Sequence, residues 1–280
     1  MAIIIQPRST GLDTAEAIAR DAARTARRLG GALAAVVGRA RAAREIALVV
    51  FAYFAYFAVR GFTQGSQGAA VSHAHKLVSF EKHAGFFWEP SIQAQIVHHH
   101  WIVTAANWMY IWGHWPLIAS VAVWLLIRRP GAYKLFRNAF FISGTIGIII
   151  FVTFPVAPPR LADVGVVDTV TMYSHAYRVL QPPAFVNQYA AVPSLHFGWD
   201  LLIGIALVRE AKWLPVRIFG AIVPALMCAA IVVTANHYIF DAMAGGVVAL
   251  TGLAISSWLQ SRAASTESEA TAQPEMAMAA

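Results

Sequence analysis

Three long stretches of the chain contain hydrophobic and small residues but no charged side chain. They are residues 138–159, 218–240 and 242–261. A helix rises about 1.5 Å per residue, so about 20 apolar residues cross the hydrocarbon core of a bilayer, which is about 30 Å thick. Each stretch is long enough, and the pattern therefore predicts three transmembrane helices.

Three further apolar stretches are less regular. Residues 46–59 would span only about 21 Å as a helix, which is sufficient if the arginine that follows extends its charged group to the membrane surface. Residues 201–208 continue a helix that begins near His196. Residues 91–127 carry no formal charge but include four histidines and Pro116, a combination that fits one kinked crossing or two short ones.

The distribution of Lys and Arg decides between one crossing and two. The loop at 128–137 has basic residues and no acids, and basic residues dominate the loop at 209–217. Cytoplasmic loops are enriched in Lys and Arg, so both loops and the N-terminus are predicted to be cytoplasmic. This leaves one crossing in 91–127, with 101–112 as its first half or as a re-entrant interfacial helix. We expect an all-α, polytopic membrane helix bundle with about six transmembrane helices.

Two segments lie outside this bundle. Residues 1–45 are rich in alanine and arginine and are expected to form a cytoplasmic amphipathic helix at the membrane surface. Residues 262–280 are polar, rich in small residues and predicted to be a disordered cytoplasmic tail. The transmembrane domain would span 46–261, with 61–90 and 156–193 outside. No cleaved signal peptide is expected.

The composition agrees with a membrane protein. Hydrophobic residues make up 58% of the 280 residues and charged residues 12%, which is too apolar for one soluble core with a polar surface. The net charge of +7 fits cytoplasmic loops and contacts with anionic lipid, so no nucleic-acid partner is expected. The one cysteine, Cys228, excludes an intramolecular disulfide and a thiolate metal cluster.

Two short motifs contain residues suited to chemistry. Residues 192–196 (Val-Pro-Ser-Leu-His) open one predicted helix, and residues 236–241 (Asn-His-Tyr-Ile-Phe-Asp) open another, two crossings later. Two crossings apart, they lie at the same face of the membrane. In a helix, His237 and Asp241 share a side, so the carboxylate can hold one ring nitrogen and leave the other free for nucleophilic attack.

These motifs resemble the type 2 phosphatidic acid phosphatase superfamily, specifically its branch of inositol phosphorylceramide synthase-like phosphotransferases, and more loosely the sphingomyelin synthases. The resemblance covers roughly residues 138–245. It rests on 193–196 (Pro-Ser-Leu-His), on 237–241 followed by Gly245, and on the proline-rich stretch 154–160. It implies a phosphatidic acid phosphatase/haloperoxidase-like core and a lipid phosphatase or inositolphosphotransferase-like enzyme that needs no metal and no cofactor.

The resemblance also implies roles for three residues by matching position. His237 would be the nucleophile that becomes a phosphohistidine, Asp241 would orient it, and His196 would protonate the leaving group. In the second half-reaction His196 would act as a base on water or on an acceptor alcohol. Membrane lipids that carry a phosphate or a phospho-headgroup would be the binding partners.

The sequence departs from the wider superfamily at two cationic positions. The superfamily pattern has a lysine seven residues before an Arg-Pro pair and an arginine six residues before the nucleophilic histidine, where this chain has Ala122 and Ile231. Arg160 is the best remaining cation for a phosphate. Fewer cations suit a singly charged phosphodiester better than a doubly charged monoester, so we expect headgroup transfer to be favoured over simple dephosphorylation.

Four other polar residues each have a functional and a structural interpretation. Asp200 stands four residues after His196 and either tunes that histidine or bonds to a neighbouring helix. Glu89 and Gln93 either bind a headgroup hydroxyl at the entrance or serve as ordinary helix-capping groups. Ser194 either donates to the phosphate or caps the helix of His196, and the two roles are compatible.

The remaining histidines are expected to lie outside the site. Residues 98–100 are consecutive histidines, which point in different directions on a helix and so disfavour a shared metal ion. The histidines at 73, 75 and 83 lie in a polar external segment. The alternative function is a lipid-binding or lipid-transporting membrane protein without turnover, in which His196 and His237 are buried polar groups. We expect a multi-pass plasma-membrane protein with an extracytoplasmic site and an oligomeric state that the sequence leaves open.

Overall fold

The computed structural model describes residues 65–173 and 187–278. It also describes a helix at 43–56, residues 58 and 59, and a few positions further upstream. The surroundings of side chains are described up to residue 266. The chain forms two compact units, Met1–Phe54 and Ala55–Ala280. The predicted amphipathic segment 1–45 falls almost entirely outside the described residues, so its prediction is not tested.

The regular elements of the described ranges are helices. They are α1 (43–56), α2 (Gln67–Ala84), α3 (Glu89–Ile96), α4 (His100–Trp108), α5 (His114–Arg128), α6 (Pro130–Thr153), α7 (Thr169–Tyr173), α8 (Leu195–Glu210), α9 (Leu214–Val233) and α10 (Ile239–Met278). A π-helical turn, Met109–Gly113, joins α4 to α5, and a 3₁₀ turn, Pro159–Leu161, follows α6. One isolated bridge pairs Val156 with Ala190. The predicted all-α class is confirmed.

Four helical segments are long and apolar enough to cross a membrane, namely His100–Arg128, Pro130–Thr153, Leu214–Val233 and Ile239–Thr266. They confirm the polytopic bundle. The first is one continuous run, as a single crossing within 91–127 requires, and the tryptophan-rich stretch forms its first half. Residues 46–59 and the 16-residue helix α8 are not among the four, so the count of six crossings stays a prediction.

The π-helical turn Met109–Gly113 has a local cause. Pro116 has no backbone N–H, and its ring would collide with the carbonyl group four residues earlier, at Trp112. The helix widens at that point instead of ending, as π-bulges do. The first residue after the wide turn, His114, is 1% exposed.

Helix α8 lies at the centre of the bundle. It packs against α6, α9 and α10, and α10 also packs along α6. Buried side chains of these helices form the largest apolar core, including Phe136, Phe151, Trp199 and Leu202. On α9 and α10, exposed apolar side chains recur at helical spacing and form lipid-facing stripes: Phe219, Ile222, Leu226, Met243, Val247 and Leu250.

The backbones of α8 and α10 touch where each helix begins. A Cβ atom at Gly245 would lie 2.1 Å from the carbonyl oxygen of Ser194, and one at Gly198 would lie 2.5 Å from the carbonyl oxygen of Gly245. The Ser194 N–H donates to the carbonyl oxygen of Asp241 at 2.9 Å. Small residues permit such close approach between membrane helices, and here they bring the two histidine motifs together.

Helix α10 continues to Met278, into the stretch from residue 262 that the sequence predicted to be a disordered cytoplasmic tail. Alanine is common in this stretch and favours helix. The disorder of the tail and its position in the cytoplasm stay predictions.

Replacing Gly245 by alanine is expected to force α8 and α10 apart, because the added methyl group would overlap backbone atoms that cannot rotate away. We expect the free energy of unfolding to fall by about 1–3 kcal/mol, as for other overpacking substitutions. The measurement is thermal unfolding in detergent. Gly131→Ala is the matched control, since a Cβ there meets nothing within 4 Å. Equal unfolding midpoints for the two variants would contradict the packing described here.

Candidate active site

The position of His237 determines which of its ring nitrogens is free. It lies just before α10, where the sequence placed it inside the helix. Its Nδ1 atom is 2.8 Å from the carbonyl oxygen of Ala191 and 3.2 Å from Oδ2 of Asp241. Both partners are acceptors, so Nδ1 carries the hydrogen and Nε2 keeps its lone pair. The side chain is 5% exposed, and its Nε2 atom is the unprotonated one that nucleophilic attack requires.

Three carboxylates satisfy three consecutive backbone N–H groups at the start of α10. Asp241 Oδ2 accepts from the N–H of Tyr238 at 2.9 Å, Glu89 Oε1 from that of Ile239 at 2.7 Å, and Glu81 Oε1 from that of Phe240 at 2.8 Å. The first N–H groups of a helix have no partner within the helix, and its N-terminus carries partial positive charge. The carboxylates therefore fix the segment that carries His237.

Two of these carboxyl groups, those of Glu81 and Glu89, are suited to sharing a proton. Burial raises the pKa of Glu81 to about 8 and also raises the pKa of Glu89, and the two side chains hydrogen-bond each other. Their Oε2 atoms are buried without a donor from other described groups. One proton between the two oxygens satisfies both and halves the buried negative charge.

Glu81 was missed by the sequence analysis, whereas helix capping was one of the two roles expected of Glu89. Glu81 lies on the buried face of α2 with Ala70, Ala74 and Val78. An acid on an otherwise apolar helical face was the available signal. Glu89 is 1% exposed and caps α10, a helix distant from it in the sequence. Its predicted role at a headgroup entrance stays a prediction.

His196 lies in the first turn of α8, close to three other rings. Its ring centroid is 4.5 Å from that of Tyr110, 4.7 Å from that of His114 and 5.9 Å from that of His237. The structure thus brings the two motif histidines together. It adds a third histidine, His114, that the sequence analysis did not select.

Asp200 bonds to His114. Its Oδ1 atom lies 2.8 Å from Nδ1 of His114, and the carboxyl group is fully buried. Asp200 was one candidate partner of His196, by analogy with Asp241 and His237. In the structure it bonds instead to His114 and so joins α8 to α5. The reason is geometric: Asp200 faces α5, where the π-helical turn has brought His114 inward.

The histidines line one pocket with apolar walls. Its lining residues are Tyr56, His114, Trp115, Phe151, Ala190, Leu195, His196, Trp199 and His237. The imidazoles supply its titratable nitrogen atoms, and mainly aromatic and aliphatic side chains supply the rest of the wall. Such a pocket can receive a small polar group attached to an apolar one.

Arg160 and Ser194 lie beside the two motifs. The Nε atom of Arg160 donates to Oδ1 of Asn236 at 3.0 Å, and its guanidinium group is 3.9 Å from the carboxylate of Asp168. The proline-rich loop thus places the guanidinium group of Arg160 next to Asn236, the residue before His237. Ser194 is fully buried and caps α8 by accepting from the N–H of Phe197 at 3.4 Å.

Gln93 and two of the outer histidines fasten loops. The side-chain amide of Gln93 donates to the carbonyl oxygens of Val167 and Val233 and accepts from the N–H of Val167. His73 contacts the carbonyl oxygen of Pro155 at 2.8 Å, and His75 contacts that of Ala162 at 2.9 Å. These contacts agree with a structural role for Gln93. Its role in binding a headgroup hydroxyl stays a prediction.

The shared proton of Glu81 predicts how stability depends on pH. The folded-state pKa lies above the ordinary value of 4.5, so this carboxyl group stabilises the fold fully below pH 4.5 and loses that contribution as the pH rises through about 8. In Glu81→Gln, the amide accepts from Phe240 and donates to Glu89 without titrating. We expect the decline in unfolding midpoint between pH 5 and 9 to become shallower.

Asp163→Asn is the matched control, because it removes an acid from an exposed position. It should leave the decline unchanged. Identical pH profiles for Glu81→Gln and the wild-type protein would contradict the shared proton.

Comparison with known proteins places this geometry in a family. Residues 75–255 match the model of the PAP2 superfamily, a match that covers more than half of the chain and both histidine motifs. None of the curated proteins compared with the chain matches it. Among solved structures, the crystal structure of LpxE from Aquifex aeolicus matches with a TM-score of 0.41 and 16% identity, covering 55% of this chain and 82% of that chain. The family match does not single out the inositol phosphorylceramide synthase-like branch. By this match the chain belongs to the PAP2 superfamily.

Proposed function

We propose that this protein is an integral-membrane lipid phosphatase or phospho-headgroup transferase that works through a phosphohistidine at His237. The observation that carries the proposal is the convergence of His237 and His196 on one pocket, with Nδ1 of His237 held by Asp241 and Ala191. Membership of the PAP2 superfamily supports action on a phosphate ester.

The proposed chemistry has two balanced steps. In the first, the Nε2 lone pair of His237 attacks phosphorus, the bond between phosphorus and the lipid oxygen breaks, and His196 gives its proton to that oxygen. In the second, His196 takes the proton from water or an alcohol whose oxygen attacks phosphorus, and the P–N bond breaks. The two ring centroids are 5.9 Å apart, close enough for both imidazoles to contact one bound phosphoryl group.

The charge of the pocket favours a singly charged substrate. Three histidines and no lysine or arginine are among its lining residues in the described part of the chain. Arg160 lies behind Asn236 and shares its charge with Asp168. A phosphodiester carries one negative charge and a monoester close to two, so the diester needs less compensation in a partly dry site. We therefore propose headgroup transfer from a phosphodiester lipid as the main reaction.

The proposed site is extracytoplasmic, at the plasma membrane. Helix α6 starts at the basic loop Arg128–Arg129 and ends near the pocket, while α8 starts at the pocket and ends at Arg209. The basic loops therefore lie at the opposite end of the bundle from the histidines. Since basic loops are retained in the cytoplasm, this supports an outward-facing site.

Replacing the nucleophile tests the proposal directly. In His237→Ala the turnover of lipid phosphate esters should fall by about 10⁴-fold or more, as for removal of one member of a catalytic unit. The measurement is thin-layer analysis of radiolabelled lipids after incubation with purified protein. His83→Ala is the control, because His83 is exposed on α2. Turnover by His237→Ala at the control rate would contradict the assignment of the nucleophile, whereas no turnover by the wild-type protein would leave lipid binding without turnover as the function.

The preference for a diester can be measured on the same protein. We expect cleavage of a phosphodiester donor to exceed release of inorganic phosphate from a lipid monoester, with kcat/KM higher by about tenfold or more, because each uncompensated charge in a partly dry site costs more than 1.4 kcal/mol. Rapid release of phosphate from monoesters, with diesters left intact, would contradict headgroup transfer while leaving the phosphohistidine proposal in place.

A further inference from the structure

The site contains a second pair of histidine and aspartate, formed by His114 and Asp200. Nδ1 of His114 is 2.8 Å from Oδ1 of Asp200, and both side chains are buried. His114 lines the same pocket as His196 and His237. The two pairs thus flank His196, whose ring centroid is 4.7 Å from that of His114 and 5.9 Å from that of His237.

The surroundings of Asp200 determine how many protons this pair holds. Asp200 lies within α8, and its Oδ2 atom has no donor among the described groups. A negative charge buried with a single hydrogen-bond partner is costly unless that partner carries the compensating charge. The pair is therefore electrically neutral overall, either as carboxylate with imidazolium or as carboxylic acid with neutral imidazole.

Both neutral arrangements leave a hydrogen on the far nitrogen of His114. In the ion pair, both ring nitrogens carry hydrogens. In the uncharged pair, the acid proton lies on Oδ1 and is donated to Nδ1, which places the ring hydrogen on Nε2. A proton on Oδ2 would instead be a buried donor without an acceptor, since Oδ2 has no partner among the described groups. In each case Nε2 of His114 is a hydrogen-bond donor on the ring edge away from Asp200.

The pair of His237 and Asp241 is arranged in the opposite way. Asp241 accepts a second hydrogen bond from the N–H of Tyr238 and lies at the N-terminus of α10, and both contacts offset part of the cost of burying its charge, although its Oδ1 atom has no donor among the described groups. The carbonyl oxygen of Ala191 also holds the hydrogen on Nδ1 of His237. One pair therefore presents a lone pair to the pocket, and the other presents a donor.

We propose that His114 donates a hydrogen bond to a non-bridging oxygen of the bound phosphate, with Asp200 as its positioning residue. The inference rests on the proposed function, in that the ligand is the phosphoryl group that His237 receives. His114 keeps its proton throughout the reaction and takes no part in bond breaking. Its donor compensates the negative charge that grows on the phosphoryl oxygens in the transition state.

The test measures anion binding separately from turnover. Orthovanadate, an analogue of phosphate that can expand to five-coordinate geometry, is titrated calorimetrically into the purified full-length protein. In His114→Phe we expect the dissociation constant to rise by about tenfold or more, because a donor to a charged group is removed. In His114→Gln the side-chain amide supplies an N–H on a similar reach, so affinity should recover in part. His83→Phe is the control and should bind like the wild-type protein.

The dissociation constant separates a donor from a purely structural residue. A structural role would lower the fitted number of binding sites, because some protein is misfolded, and leave the dissociation constant unchanged. An unchanged constant in His114→Phe, a His114→Gln variant as weak as His114→Phe, or no binding of orthovanadate to the wild-type protein would each overturn the inference. Failure of the proposed function itself shows differently, as turnover that survives in His237→Ala.

Discussion

The backbones of α8 and α10 meet at Ser194 and Gly245, and the relative position of the two motif histidines follows from that contact. A Cβ at residue 245 would overlap the Ser194 carbonyl, so only glycine permits it. The Ser194 N–H donates to the carbonyl oxygen of Asp241 across the same contact. Each helix begins with its N-terminus at the pocket, which brings two positive dipole ends near one small volume, together with first-turn N–H groups that have no partner within their own helix.

The sign and location of charge in this volume explain how similar residues take different roles. At α10, three carboxyl groups accept from the first N–H groups of the helix, while Asp241 and the carbonyl oxygen of Ala191 hold the hydrogen of His237 on Nδ1. At α8, Asp200 lies inside the helix and relies on His114 for its compensation. In the proposed chemistry, the same pair of residue types thus acts as a nucleophile in one environment and as a hydrogen-bond donor in the other.

The features that depend on a local sequence pattern could be predicted from the sequence. Uncharged runs of sufficient length predicted the long helices, and motif spacing predicted that Asp241 would contact His237. The resemblance in 193–196 and 237–241 predicted the superfamily. The bond from Asp200 to His114 could not be predicted in this way, since it joins residues 86 positions apart and depends on the π-helical turn before Pro116. Glu81 was missed for a similar reason, because its partners lie on α3 and α10.

Peptide mapping of the quenched reaction shows whether phosphorus passes through Nε2 of His237. A phosphohistidine is stable in base and labile in acid, whereas phosphoserine survives acid. After brief incubation with a phosphodiester lipid and an alkaline quench, mass spectrometry should find the added phosphoryl unit on the peptide that contains His237, and acid treatment should remove it. Turnover with no phosphorylated peptide, or with the label on Ser194, would contradict the account.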